Sequence, residues 1–85
     1  MTKSVFTGAY ASFVEAMIEA RRSAGVTQIE LGARLGKTQT WVSTYERGVR
    51  RLDVVEFYAI AKAMGLSPEE LFTSIARRLP EQVEI

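Results

Sequence analysis

Neither cysteine nor histidine occurs anywhere in the chain. The first absence excludes disulfide cross-links, and the two together remove most nucleophilic, general-base and zinc chemistry. No apolar run approaches the roughly 20 residues of a membrane span. The N-terminal MTKSVFTGAY also lacks the apolar stretch of a secretory signal. The expected location is the cytoplasm, with no membrane partner. There is no internal repeat, low-complexity tract or second domain. At 85 residues the chain makes one domain with a small core, near the size at which stability becomes marginal. Two acid pairs, Glu15/Glu19 and Glu69/Glu70, are explained by a solvent face and a helix start. No catalytic constellation remains, so no enzyme, metal or cofactor is expected.

Net charge is also scarce, at only +1. Its distribution carries more information. From Arg21 to Arg51 there are seven basic residues against Glu30 and Glu46, a local net of +5. Residues 52–85 carry three basic and six acidic groups. A basic middle on a balanced chain is the footprint of a local polyanion site.

What the sequence does hold is a dense set of helix signals between Thr27 and Arg51. Thr27 caps a helix with Glu30 three residues on, and Leu31 and Leu35 repeat at helical spacing before Gly36 ends it. Thr38 caps the next helix, Val42 and Tyr45 form its inward stripe, and Gly48 stops it. Gly32 sits mid-helix at a cost of about 1 kcal/mol against Ala, so a second helix is expected to approach closely there. Two short helices on a Gly turn make a helix-turn-helix.

The flanks complete an all-α, five-helix domain over residues 9–79, between a flexible N-terminal arm (1–8) and a C-terminal tail (80–85). Within the arm, Lys3 is within reach of a phosphate, though a frayed terminus explains it as well. Helix 1 runs from Ala9 to Ala24 with Tyr10, Phe13, Val14, Met17 and Ile18 on its buried face. Arg21 borders that stripe and needs a partner, for which Glu46 is the best acid. Asp53 and Glu56 open helix 4, which ends at Met64 and is apolar on more than one side. Ser67-Pro68-Glu69-Glu70 starts helix 5, expected to reach Arg78. Leu66, Leu71 and Phe72 are expected to close the core, leaving Ile75 and Leu79 as a dimer interface.

If Val42 and Tyr45 face inward, Gln39, Thr40, Ser43, Thr44 and Arg47 face out. These side chains are able to read base edges: Gln bonds adenine bidentately, and Thr offers a hydroxyl or meets a thymine methyl. Lys37, Thr38 and Gln39 lie at a helix N-terminus, which favours phosphate. Arg47, Arg50 and Arg51 cluster where backbone contacts would fall. Trp41 has two readings: packing at the core's edge on the Val49–Leu52 loop, or direct contact with DNA.

From Arg21 to Phe72, about three-fifths of the chain, the sequence resembles the XRE family of helix-turn-helix regulators, which includes the phage repressor and Cro proteins. The resemblance is carried by Arg21, Gly25-Val26-Thr27-Gln28, Leu31, Leu35-Gly36, Gln39, Val42-Ser43, Tyr45-Glu46-Arg47-Gly48, Ala61-Lys62-Ala63-Met64-Gly65 and Ser67-Pro68-Glu69-Glu70-Leu71. It implies a five-helix fold that binds double-stranded DNA as a dimer, with the third helix in the major groove. It further implies that Gln28 contacts the DNA backbone, that Gln39, Thr40 and Thr44 occupy base-reading positions, and that Arg21–Glu46 is a structural ion pair. Gly32 stands where the family more often has Ala, and Trp41 where small residues are usual. The expected function is a sequence-specific transcriptional regulator, a repressor or autoregulator, acting as a homodimer on a two-half-site operator. The alternative is an antitoxin or other protein-interaction module, with a toxin or another regulator as its partner.

Overall fold

Five helices follow one another through residues 8–85, the part of the chain described by the computed structural model: α1 (Gly8–Ser23), α2 (Gln28–Leu35), α3 (Gln39–Glu46), α4 (Val54–Ala63) and α5 (Pro68–Ala76). Gly8, expected in the N-terminal arm, is the first residue of α1, and α5 stops two residues short of Arg78. The rest of the expected arm, with Lys3, lies outside the described residues. Among those residues there is no strand, and no helix is long and apolar enough to cross a membrane.

Short polar side chains set the helix starts. Thr27 Oγ1 accepts from the Glu30 N–H at 3.0 Å while Glu30 Oε1 accepts from the Thr27 N–H at 2.9 Å. Asp53 and Glu56 repeat this reciprocal cap on α4 at 2.7 and 2.9 Å. Thr38 and Ser67 cap α3 and α5 through the N–H groups of Trp41 and Glu70. Gly36, at φ +68°, ends α2: its N–H bonds Ala33 O, and the next N–H, of Lys37, bonds Gly32 O. That paired closure needs a left-handed residue, which Gly supplies without a Cβ clash.

Helix α1 packs on α3 and α5, α2 on α3 and α4, and α4 on α5. Val14, Met17, Leu31, Val42, Tyr45, Ile60 and Ile75 fill the fully buried centre. The close approach expected at Gly32 is present. A Cβ there would lie 2.9 Å from the carbonyl carbon and oxygen of Thr38, so the missing side chain lets the α3 N-terminus rest on α2.

The expected roles of Phe72 and Ile75 are exchanged. Ile75 is 1% exposed within the core, whereas Phe72 is 53% exposed. Leu71, Ile75 and Leu79 succeed one another at i, i+4 spacing and so share one face, while Phe72 lies about 100° away from Leu71. Leu79 is half-buried against the core. Ile75 is therefore withdrawn from the expected Ile75/Leu79 dimer interface, because it is buried within the monomer. On α4 and α5 the exposed large apolar side chains are Val54, Val55, Tyr58 and Phe72. Beside them, a groove of about 480 Å³ runs between α1, the start of α4 and α5. The C-terminal residues Val83 and Ile85 line this groove instead of standing clear of the domain.

Candidate nucleic-acid interface

The position of α3 is fixed by the side chains on its inner face. Val42 and Tyr45 are fully buried. Glu46 receives Arg21 side-on, with Nε to Oε2 at 2.8 Å and Nη2 to Oε1 at 3.1 Å. Arg21 Nη1 also donates to Val26 O at 3.0 Å, tying the α1–α2 turn into the same pair. The hydrogen bonds from Arg21 to Glu46 raise the guanidinium's pKa, against the opposing effect of burial. Both side chains are buried, and losing one partner of such a pair costs about 3–5 kcal/mol because the other charge is stranded. The ion pair read from the sequence thus locks α3 to α1.

With that face occupied, Gln39, Thr40 and Arg47 are exposed, and Ser43 and Thr44 are half-exposed. The five expected outward residues share one side of α3. Their hydrogen bonds decide what they present. Thr44 Oγ1 donates to Thr40 O at 2.6 Å, so Thr44 offers its methyl and lone pairs outward, not its proton. Arg47 Nε donates to Ser43 Oγ at 3.1 Å, which steadies the guanidinium along the helix. Gln39 Nε2 donates to Gln28 Oε1 at 3.3 Å, and Gln28 Nε2 donates to Glu46 Oε1 at 2.8 Å. Because a carboxylate only accepts, Glu46 fixes which end of the Gln28 amide faces it. The Gln28 oxygen is thereby turned toward Gln39.

The basic residues separate into structural and outward groups. Arg34 donates to Ala63 O at 2.9 Å, capping the negative end of α4. Arg50 pairs with Glu56 at 2.9 Å. The Glu56 carboxyl is held below its ordinary value of 4.5 by the Asp53 backbone N–H first and by Arg50 second. Arg51 stacks over the Tyr10 ring at 4.6 Å, and the Tyr10 hydroxyl accepts from the Leu52 N–H at 3.0 Å. This anchoring of the α3–α4 loop by α1 was not read from the sequence, since no local spacing links Tyr10 to Leu52. Lys37 is exposed beside Trp41, but its backbone N–H closes α2 and the Trp41 N–H is capped by Thr38. Anion contact at this turn thus falls to side chains as well as to the remaining N–H groups. Sequence reasoning also missed Arg22, which is exposed and borders a hollow shared with Thr27, Gln28 and Gln39. Its only signal was membership of the basic middle stretch.

Trp41 is half-buried, edge-on to Tyr45 with ring centroids 5.6 Å apart, and Arg50 of the following loop lies over it. The core-edge reading holds for the packing of this side chain. The apolar Ile29, off the Leu31/Leu35 stripe of α2, is exposed.

Comparison with known proteins places this geometry in a family. A helix-turn-helix family profile matches residues 17–71, which span α2 to α4 with the C-terminal part of α1 and the start of α5. The chain is 45% identical over 53 residues to y4dJ, an HTH-type transcriptional regulator of Sinorhizobium fredii, covering 62% of this chain and 69% of the relative. An XRE-family like protein from Pseudomonas syringae pv. tomato superposes with a TM-score of 0.77 at 40% identity, over 85% of this chain and 88% of the other. The clp gene regulator ClgR from C. glutamicum shares the fold, with a TM-score of 0.74 at 21% identity over 89% and 99% of the two chains. The matched segment contains Arg21, Gln28, the outward row of α3 and Glu46, and on these grounds the chain belongs to the XRE-type helix-turn-helix family of transcriptional regulators.

Proposed function

We propose that this regulator recognises a specific DNA sequence as a cytoplasmic homodimer, with α3 of each copy in the major groove of one half-site. The observation that carries the reading is the division of α3. Val42, Tyr45 and Glu46 are buried, while Gln39, Thr40, Ser43, Thr44 and Arg47 stand on the opposite side. Gln39, Thr40 and Thr44 read base edges; Gln28, Lys37, Thr38, Arg47, Arg50 and Arg51 meet the backbone and set the register. Regulation is by occupancy, as a repressor or autoregulator of its own gene.

Dimerisation uses the exposed apolar side chains Val54, Val55, Tyr58 and Phe72. Exposed apolar side chains grouped on neighbouring helices mark an interaction surface more often than isolated ones do. The same surface supports the alternative in which a toxin or another regulator is the main partner and DNA binding is secondary. One titration separates the two. Labelled duplex from upstream of the protein's own gene, and unrelated duplex, are titrated by fluorescence anisotropy at about 50 and 200 mM salt. Tight, salt-sensitive binding to the upstream duplex alone is expected. No binding to either duplex at the lower salt would overturn the DNA-binding reading in favour of the protein-interaction module.

A further inference from the structure

The Trp41 ring gathers two cations from opposite ends of α3. Lys37 Nζ, in the turn before the helix, lies 5.6 Å from the ring centroid, and Arg50 Cζ, in the loop after it, lies 5.4 Å from the same centroid. Each is attracted by the negative face of the indole, which is the strongest of the aromatic side chains in this role. The ring itself is held from behind by its edge-on contact with the fully buried Tyr45.

The arrangement is electrically incomplete. Glu56 meets Arg50 through Nη2 at 2.9 Å, the Arg50 side chain is 41% exposed, and its Nη1, itself buried, has no hydrogen-bond acceptor among the described residues. Lys37 makes no ion pair within 4 Å among those residues, although its charge is near enough to help hold the Glu56 carboxyl below its ordinary pKa. Two like charges drawn to one ring repel each other, and the single Glu56 carboxylate that acts on both does not balance two cations. An anion meeting both cations would relieve that repulsion. A nucleic-acid backbone offers such an anion at the edge of any groove occupied by α3.

We propose that Trp41 is a positioning residue that assembles Lys37 and Arg50 into a single site for a DNA backbone phosphate. The inference rests on the DNA-binding reading above and deepens it. The ring joins the contact before α3 to the contact after it, so that the helix is held at both ends in one register. Trp41 itself reads no base. Its size, unusual at this position, is what lets it reach both cations.

The test is the salt dependence of binding to a duplex of arbitrary sequence, followed by anisotropy between about 50 and 200 mM salt. Wild type is compared with Trp41→Leu, which keeps an apolar contact on Tyr45 but removes the ring face, and with Trp41→Phe, which keeps a weaker one. Trp41→Leu is expected to bind about tenfold more weakly at the lower salt, with a log–log slope shallower by about 1 to 2, since each lost phosphate contact removes roughly 0.9. Trp41→Phe should fall between the two. Lys37→Gln should weaken wild type several-fold yet change Trp41→Leu by less than about twofold, because the ring no longer couples it to the site. A wild-type slope in Trp41→Leu, or full additivity of the two substitutions, would overturn the phosphate site while leaving DNA binding in place. Failure of wild type to bind any duplex at low salt would overturn both readings together. Melting curves confirm that each variant is folded at the assay temperature. If Trp41→Leu is not, Trp41→Phe decides alone: an unchanged slope there overturns the proposal.

Discussion

The Tyr45 hydroxyl is the least comfortable atom in the core. The residue is fully buried, and its hydroxyl has no hydrogen-bond partner among the described residues. Burial, followed by the neighbouring Glu46 charge, pushes its pKa far above the ordinary phenol value. A buried donor left unsatisfied costs about 1–3 kcal/mol, whereas the ring is needed to fill the space and support Trp41. Tyr45→Phe should therefore stabilise the domain by about 1 kcal/mol, raising Tm by roughly 4–8 °C, as measured by circular dichroism. An unchanged or lower Tm would show that the hydroxyl is satisfied in solution. Residues of this kind mark the limit of what a sequence conveys. The Arg21–Glu46 pair was legible because an Arg bordering an apolar stripe demands an acid, and few acids were near. Tyr10 reaching the Leu52 N–H was not, because nothing local to either residue signals the other. The same holds for Arg34, which looks like a surface cation but donates to Ala63 O, and for the carboxylate of Glu56 that Arg50 carries with it. Counting charges along the chain therefore overstated the positive face.

Helices declare themselves through their ends. All four N-caps from Thr27, Thr38, Asp53 and Ser67 were legible, because each is a short polar side chain whose position is dictated by unpaired N–H groups. The C-terminal half of the chain was harder: Phe72 was placed in the core and Ile75 outside it, although the i, i+4 series through Leu71, Ile75 and Leu79 pointed inward. Two predictions belong to this scale. Gly32→Ala would gain helix propensity of about 1 kcal/mol, but its Cβ would sit 2.9 Å from Thr38 backbone atoms that no side-chain rotation can move. Overpacking of that kind costs about 1–3 kcal/mol. The variant should lose about 1 kcal/mol net by urea denaturation, and a gain would mean that α3 shifts freely. The second concerns acid. Glu30 is held below its ordinary pKa chiefly by the Thr27 backbone N–H, and Glu56 by that of Asp53. A carboxylate with a depressed folded pKa contributes stability that is complete above its unfolded value and is lost as pH falls through the folded one. Tm should thus be level above about pH 5 and decline below about pH 4.5. In a Glu30→Gln, Glu56→Gln protein, whose amides keep the caps without titrating, that decline should be shallower. An identical decline would place the acid sensitivity elsewhere.

As a whole the molecule has two dissimilar faces. One carries the outward row of α3 with its cations, and the other carries the exposed Val54, Val55, Tyr58 and Phe72, of which Val54 and Phe72 line the groove. If the second face joins two copies, Val54→Asp with Val55→Asp should sediment as a folded monomer, since both side chains are more than 70% exposed and leave the core untouched. It should also bind an operator at least tenfold more weakly. A variant that remains dimeric would place the interface elsewhere. From the interior to the surface of α3 runs a chain of polar contacts, from the buried Arg21 through Glu46 and Gln28 to the exposed Gln39. Each link has a fixed direction, because a guanidinium only donates and a carboxylate only accepts. The interior ion pair therefore sets which end of a surface amide is already engaged, leaving the Gln39 oxygen turned toward whatever α3 meets. For anyone redesigning this scaffold, the recognition helix is not a detachable part. Transplanting its outward residues without Gln28, Glu46 and Arg21 would carry over the letters of α3 but lose their orientation.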